Sequence, residues 1–387
     1  MPAVGLVGGN QLRLLNCGIE FFPAVLAAFE QATTEIHLET YIFEIDSIGQ
    51  QVIDALTRAV ARGVQVYVIT DWIGTGRVQS SKLHRILLAA GVHHRTFNPW
   101  FRRGLGRTHR KICVVDRRAA FIGGININDD FFSDNGRYIP LPAERWDCAV
   151  EVHGPLVQTI LLEAESQWMR LGALKFRSRW QLFRERKQMR AVAMDSGAFA
   201  GLVMRNNLRN RRTIQHAIIA ALAAAQHSAL LATPYFAPGR KLRDALAKAA
   251  QRGVDVTLLL GVGQFRIQDA VAHSFYPKLL ANGVRVVEYR RTQLHAKVAV
   301  VDGDWSTIGS SNYDGLSLFI NQEANVVIKD AAFTNTLRAR IESAITDGVV
   351  IAPEDFAHIG RLQRIGYGAA YFLYSWVLRL ATLGKYS

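Results

Sequence analysis

The chain has 387 residues, 49% of them apolar and 20% charged, which excludes a disordered protein and leaves room for two domains or one duplicated unit. Its three cysteines, Cys17, Cys113 and Cys148, are odd in number and lack metal-ligand spacing, which argues against a disulfide framework or a thiolate metal site. The net charge of +14 points to a polyanionic surface, nucleic acid or anionic lipid, unless it merely reflects a generally Arg-rich composition.

In chain order, F-P-A-V-L-A-A-F-E-Q-A at 22–32 predicts a helix with Pro23 in its first turn. The β-branched and aromatic run at 35–43 predicts a strand. Val52, Ile53, Leu56, Ala59 and Val60 recur at helical spacing, Gly63 stops that helix, and 64–71 follows as a second strand. Another helix ends near Ala90-Gly91 and precedes the strand 92–97. Then comes T-H-R-K-I-C-V-V-D-R-R-A-A-F-I-G-G-I-N at 108–126, with Cys113 expected as a small core hydrophobe.

The second half replays this order. A helix at 212–225 precedes a strand at 228–236, a helix ending at Arg252-Gly253 precedes a strand at 254–261, and 284–289 leads into L-H-A-K-V-A-V-V-D-G-D-W-S-T-I-G-S-S-N. The R-G-V turns are 190 residues apart and the histidines 186. A single His-x-Lys-x4-Asp match arises by chance at about one position in ten thousand. Two copies with trailing Gly and Asn therefore mean duplication. Helices alternating with strands predict an α/β layered architecture in each half.

Between the halves, 170–190 is dense in Arg and Lys with Trp180 and Phe183 interspersed, which reads either as a solvated linker or as a surface for anionic headgroups. The stretch 366–383 is apolar and aromatic with Arg379 its only charge. It can lie on a membrane surface, pack on the body or span; its length and Arg379 make the span the least comfortable and its Tyr and Trp content favours the surface.

Strand alternation puts His109 and Lys111 on one face, and Gly123-Gly124 lets Asn126 return towards them. Two copies meeting would converge two imidazoles, two ammoniums and two amides. That is a phosphate site needing no metal or other cofactor: Lys and Asn hold the non-bridging oxygens, one His attacks phosphorus, and the other protonates the departing alkoxide.

These paired motifs resemble the HKD motifs of the phospholipase D superfamily over nearly the whole chain. Within it, L-E-T-Y-I-F, H-R-K-I-C-V-V-D and S-S-N-Y-D-G-L-S-L-F-I-N-Q-E-A-N-V-V-I are most similar to bacterial cardiolipin synthases of the short form without N-terminal membrane spans. The resemblance implies two phospholipase D-like α/β/α sandwich halves sharing one active site at a pseudo-twofold interface. It implies His109 as nucleophile and His295 as general acid, in a catalytic set with Lys111, Lys297, Asp116 and Asp302, the two aspartates looking like supporting residues. Asn126 and Asn312 would bind the phosphate, Ser310 would add a hydroxyl where Gly124 has none, and Asp147 and Glu323 would orient the histidines.

The implied reaction moves a phosphatidyl group from one phosphatidylglycerol to another, giving cardiolipin and glycerol. Partners would be an anionic phospholipid membrane and phosphatidylglycerol, with no specific nucleic acid. The expected location is peripheral, on the cytoplasmic face of the bacterial cell membrane; no signal peptide opens the chain. The expected divisions are 1–168, a linker at 169–200, 201–350, and a membrane-associating tail at 351–387. A phospholipase D-type hydrolase, a nuclease of the same superfamily and a non-enzymatic membrane-binding protein are the competing readings.

Overall fold

The computed structural model describes residues 4–381 except 103, 105, 134–138, 173–196, 207–209, 211, 316, 318–319 and 358, so most of the basic stretch at 170–190 lies outside the described residues. The first half runs β1 (Val7–Asn16), α1 (Cys17–Gln31), β2 (Glu35–Thr40), α2 (Ser47–Ala61), β3 (Gln65–Asp71), α3 (Arg77–Ala89), β4 (His93–Phe97), β5 (Ile112–Val115), β6 (Ala119–Gly123), β7 (Cys148–His153) and α4 (Leu156–Leu171). The second repeats it as β8 (Ala198–Arg205), α5 (Thr213–Ala224), β9 (Ser228–Thr233), α6 (Arg240–Gln251), β10 (Asp255–Gly261), α7 (Arg266–His273), α8 (Tyr276–Ala281), β11 (Arg285–Tyr289), β12 (Val298–Val301), β13 (Trp305–Gly309), β14 (Glu323–Lys329) and α9 (Ala331–Thr346). Beyond the repeat lie β15 (Val349–Ile351), α10 (Pro353–Ala357) and α11 (Arg361–Ala381).

These strands form one sheet, ordered β15-β11-β10-β9-β12-β13-β14-β8-β1-β7-β6-β5-β2-β3-β4, and Phe236–Ala237 pairs separately with Tyr313–Asp314. Outward from the centre, β1-β7-β6-β5-β2-β3-β4 is matched strand for strand by β8-β14-β13-β12-β9-β10-β11. The two halves meet where β1 pairs antiparallel with β8, Asn10 opposite Ala198. In each half the outer three strands are parallel and joined through helices, while the inner hairpins β5–β6 and β12–β13 are antiparallel. Both faces are covered, which is why the strands read as near-continuous apolar runs. One face carries a core shared by both halves, in which Ile112, Val114 and Val150 pack with Val298, Val326, Leu161 of α4 and Leu337 of α9. The other face holds one core per half.

Local chemistry accounts for these elements. In α2 the buried residues Val52, Ile53, Leu56 and Ala59 form one stripe, and the Asp46 side chain accepts from Gly49 N at the start. Gly63 and its counterpart Gly253 end α2 and α6 at φ +89° and +92°, a left-handed conformation that glycine adopts without strain.

Helix α1 departs from expectation. It begins at Cys17, so Pro23 lies inside it rather than in its first turn. The earlier start is held from outside the helix: Gly18 N donates to Asp130 Oδ2 at 2.5 Å and Ile19 N to Glu144 Oε1 at 3.2 Å. These carboxylates satisfy amides that the local sequence leaves open.

The apolar C-terminal stretch forms α11. No helix among the described residues is long and apolar enough to cross a membrane. One side of α11 packs on the body: Tyr371 meets Phe275 at 5.0 Å, Leu378 is buried, and Tyr374 Oη accepts from Gly315 N at 2.9 Å. The other side exposes Leu362, Ile365, Phe372, Leu373 and Trp376. The helix thus combines a packed face with an outward apolar one.

Candidate active site

The parallel strands of the two halves run in opposite senses along the sheet, yet residues just past their C-terminal ends, Tyr41 and Ile42 after β2 and Tyr235 after β9, come together at one place, as ligand-binding residues do in α/β folds. There a cleft of about 440 Å³ is lined by His109, Asn126, His295 and Asn312, together with Tyr41 and Arg107. The duplicated motifs therefore contribute to one site.

Main-chain pairing between the halves sets the geometry. His109 N donates to Gln322 O at 2.9 Å and Gln322 N to Arg107 O at 2.7 Å. In the mirrored position, Trp146 N donates to Gln293 O at 2.9 Å and His295 N to Trp146 O at 2.8 Å. Each histidine is thereby laid beside the residue that precedes the other half's acid. The side chains follow: His109 Nδ1 lies 3.1 Å from Glu323 Oε2, and His295 Nδ1 lies 2.6 Å from Asp147 Oδ2. The acids are exchanged between halves. With Nδ1 held as a donor, Nε2 is the nitrogen each imidazole offers to a substrate.

Two buried ammonium groups supply positive charge: Lys111 Nζ donates to His109 O at 2.8 Å, and Lys297 Nζ donates to His295 O. Burial lowers the His109 pKa, and Lys111 and Lys297 add to that against the opposite pull of Glu323. A neutral imidazole with a free lone pair is the nucleophilic form. Burial raises Asp147, with Lys297 the leading opposing influence. Asn126 accepts from Ile42 N through Oδ1 at 3.2 Å, while its buried Nδ2 has no hydrogen-bond partner among the described residues. That orphaned donor on the cleft matches a phosphoryl oxygen. Asn312 Nδ2 instead donates to Ser317 Oγ at 3.2 Å, and Ser317 N in turn donates to Asp314 Oδ1 at 2.8 Å. Burial pushes the Asp314 carboxyl up to about 6.

Three residues predicted for the site do other work. Asp116 and Asp302 lie outside the cleft, at φ +49° in the tight turns of the hairpins β5–β6 and β12–β13. The Asp116 carboxylate accepts from the amides of Thr33, Thr34 and Glu35 at 2.8 to 3.0 Å; Asp302 repeats this with Gln226, His227 and Ser228 at 2.8 to 3.0 Å. Each clamps the entry to the neighbouring parallel strand. Burial raises the Asp116 pKa, but the amide and hydroxyl donors outweigh it and hold the carboxyl well below the usual range. The stabilisation is complete above the unfolded pKa of about 4 and lost as pH falls below it. Asp116→Asn is expected to cost about 2 kcal/mol, a change of a few degrees in Tm by calorimetry, with turnover per folded molecule retained. A normal Tm with lost turnover would return Asp116 to the chemistry.

The Ser310 hydroxyl is likewise engaged elsewhere, by the acid beside His109. Its Oγ donates to Glu323 Oε2 at 2.5 Å, and its carbonyl lies 3.0 Å from His109 Nδ1. The unequal repeat has a steric cause: a Cβ on Gly124, the counterpart of Ser310, would lie 2.2 Å from Asp147 Oδ1. Where the acid comes close, the partner position must be glycine.

The geometry agrees with the comparison against known proteins. A family profile described as "Cardiolipin synthase, PLD-like domain" matches residues 25–139 and 218–345, one segment in each half. The chain belongs to this phospholipase D-like cardiolipin synthase family. It is 38% identical over 347 residues to cardiolipin synthase B of Salmonella typhimurium, covering 88% of this chain and 81% of that one. It is 37% identical over 345 residues to cardiolipin synthase B of Escherichia coli strain K12, covering 87% and 81%. In fold it is similar to the crystal structure of phosphatidylserine synthase from Haemophilus influenzae, with TM-score 0.70, 15% identity and coverage of 99% and 97%.

As a member of this family the chain also carries residues that its motifs alone do not single out. Tyr41 packs edge-on against His109 at 4.8 Å, and Arg107 donates to Tyr41 Oη at 3.0 Å. Beneath them, Arg110 and Glu39 form a buried bidentate pair at 2.9 and 2.6 Å. Their counterparts in the second half, Ala296 and Ala232, are both small and buried. The paired change across the repeat is the signal that finds this contact in the sequence.

Proposed function

We propose that this chain makes cardiolipin by moving a phosphatidyl group between two phosphatidylglycerol molecules. The observation that carries the reading is the crossed pair of histidines, each with its Nδ1 held by an acid of the other half, on one cleft with two buried lysines at its base. In the first step His109 Nε2 attacks the donor phosphorus, the bond to the glycerol oxygen breaks, and His295 gives that oxygen its proton. In the second, a hydroxyl of the acceptor gives its proton to His295 and attacks phosphorus, the P–N bond breaks, and His109 regains its lone pair. The products balance as cardiolipin and glycerol. Lys111, Lys297, Asn126 and Asn312 neutralise and hold the phosphoryl oxygens, which carry more charge in the transition state.

Purified protein on phosphatidylglycerol vesicles, read by lipid mass spectrometry, tests this. Cardiolipin and free glycerol in equal amounts are expected. Phosphatidic acid alone would make the chain a hydrolase, and cleavage of single-stranded DNA without lipid turnover would make it a nuclease.

We place the protein peripherally on the cytoplasmic face of the cell membrane. Support comes from the outward apolar face of α11, from exposed Trp100, Phe265 and Ile267 on loops and a helix beyond the strand ends that bear the cleft, and from the net charge of +14. Val377 of α11 lines the cleft itself, so a lipid entering there passes this helix. The combined variant Phe372→Ser, Leu373→Ser and Trp376→Ser is expected to weaken binding to anionic vesicles by about a hundredfold in flotation assays. Unchanged flotation would remove α11 from the membrane contact.

A further inference from the structure

We propose that Gln268 forms, at the His295 end of the cleft, the subsite for the hydroxyl-bearing headgroup that departs and for the one that arrives. The proposal rests on the phosphatidyl-transfer reading and adds where the polyol is recognised.

The two ends of the cleft differ. At the His109 end stand the Tyr41 ring and the Arg107 guanidinium that hydrogen-bonds it. Their counterparts by the repeat are Pro234 and Gln293, so this cation and phenol have no equivalent across the pseudo-axis. Tyr235, Phe265 and Gln268 line the cleft from the second half instead. The strand ends that lead into them lie against the residue before His295: a Cβ on Gly261, the last residue of β10, would lie 3.2 Å from Leu294 Cβ and 3.2 Å from Pro234 Cα. The turn leaving Gly261 carries Gln264, whose Oε1 accepts from Tyr235 Oη at 2.8 Å, and then Gln268 in the first turn of α7. Gln268 Oε1 is buried and has no hydrogen-bond partner among the described residues.

In-line displacement decides which end receives the headgroup. The attacking nitrogen and the leaving oxygen lie on opposite sides of phosphorus, so attack by His109 directs the headgroup oxygen towards His295. The incoming alcohol uses the same side, because the second step reverses the geometry of the first. A buried carbonyl oxygen at that end requires an O–H or N–H donor, since an unmet acceptor costs the desolvation of the group. A glycerol headgroup carries hydroxyls beyond its reacting oxygen and supplies that donor. A monohydric alcohol reacts at the same oxygen and supplies none.

The test gives the full-length protein on phosphatidylglycerol vesicles equal concentrations of deuterated glycerol and ethanol, and measures labelled phosphatidylglycerol against phosphatidylethanol by mass spectrometry. Wild type favours glycerol. Gln268→Leu lowers the glycerol-to-ethanol ratio about tenfold, whereas Gln268→Glu, which keeps an acceptor oxygen, stays near the wild-type ratio. An unchanged ratio in Gln268→Leu overturns the subsite, and the phosphatidylethanol formed shows that transfer itself stands. Loss of preference in Arg107→Gln but not in Gln268→Leu also overturns it, by moving the headgroup to the other end. Neither alcohol product from wild type overturns the transfer reading, and the subsite with it.

Discussion

Replacing His109 by alanine lowers cardiolipin formation by at least about 1,000-fold, and replacing His295 does the same, but only the second loss is repaired by changing the substrate. The asymmetry follows from the roles proposed above. His295 supplies a proton to a poor leaving group, so a donor phosphatidyl ester of a nitrophenol, which departs without protonation, restores the first step in His295→Ala. The nitrophenol then appears as a burst, because the second step still lacks its base. His109 forms the bond to phosphorus, and no leaving group replaces it. Stopped-flow absorbance on mixed vesicles separates the cases. A burst in His109→Ala and none in His295→Ala would reverse the order of the two histidines.

Asp147→Asn lowers kcat about 1,000-fold with little change in KM, while Glu323→Gln lowers it only about tenfold. The acids are related by the repeat, yet their histidines are held differently. His295 Nδ1 has Asp147 at 2.6 Å, and an amide there can present its N–H and force the wrong tautomer. His109 Nδ1 has the Ser310 carbonyl at 3.0 Å besides Glu323 at 3.1 Å, and a carbonyl accepts only from the correct tautomer. Equal losses in the two variants, measured as vesicle turnover, would remove that second restraint.

The duplication was legible because its landmarks are chemical necessities: glycines at left-handed helix ends, apolar strands buried on both faces, and a tight hairpin turn after each His-x-Lys strand. The succession of helices and strands along each half follows from those. The exchange of acids was not legible, since Asp147 follows His109 in the chain and nothing local says that it serves His295. Only the main-chain pairing of Trp146 with Gln293 and His295 sets that partnership. The motif aspartates are legible as supporting residues, but what they support is not, for a related reason. Their fixed spacing marks a structural clamp on the neighbouring strand, β2 or β9, repeated because the fold is repeated. Pro23 shows the limit at the level of one helix, where carboxylates from Asp130 and Glu144 extend α1 beyond its own start signals. The tail was readable as apolar and aromatic. Its packed face depends on Phe275 and Gly315, which no periodicity within the tail reveals.

The central claim is a single site in which His109 carries the phosphatidyl group while His295 moves the proton. Rapid quenching of the enzyme with phosphatidylglycerol vesicles into neutral guanidinium, followed by peptide mass spectrometry, tests it directly. The account predicts a phosphatidyl adduct on His109, enriched in His295→Ala given the activated donor and lost on adding an alcohol to wild type. An adduct on His295, or cardiolipin formed with no adduct on either histidine, would contradict it.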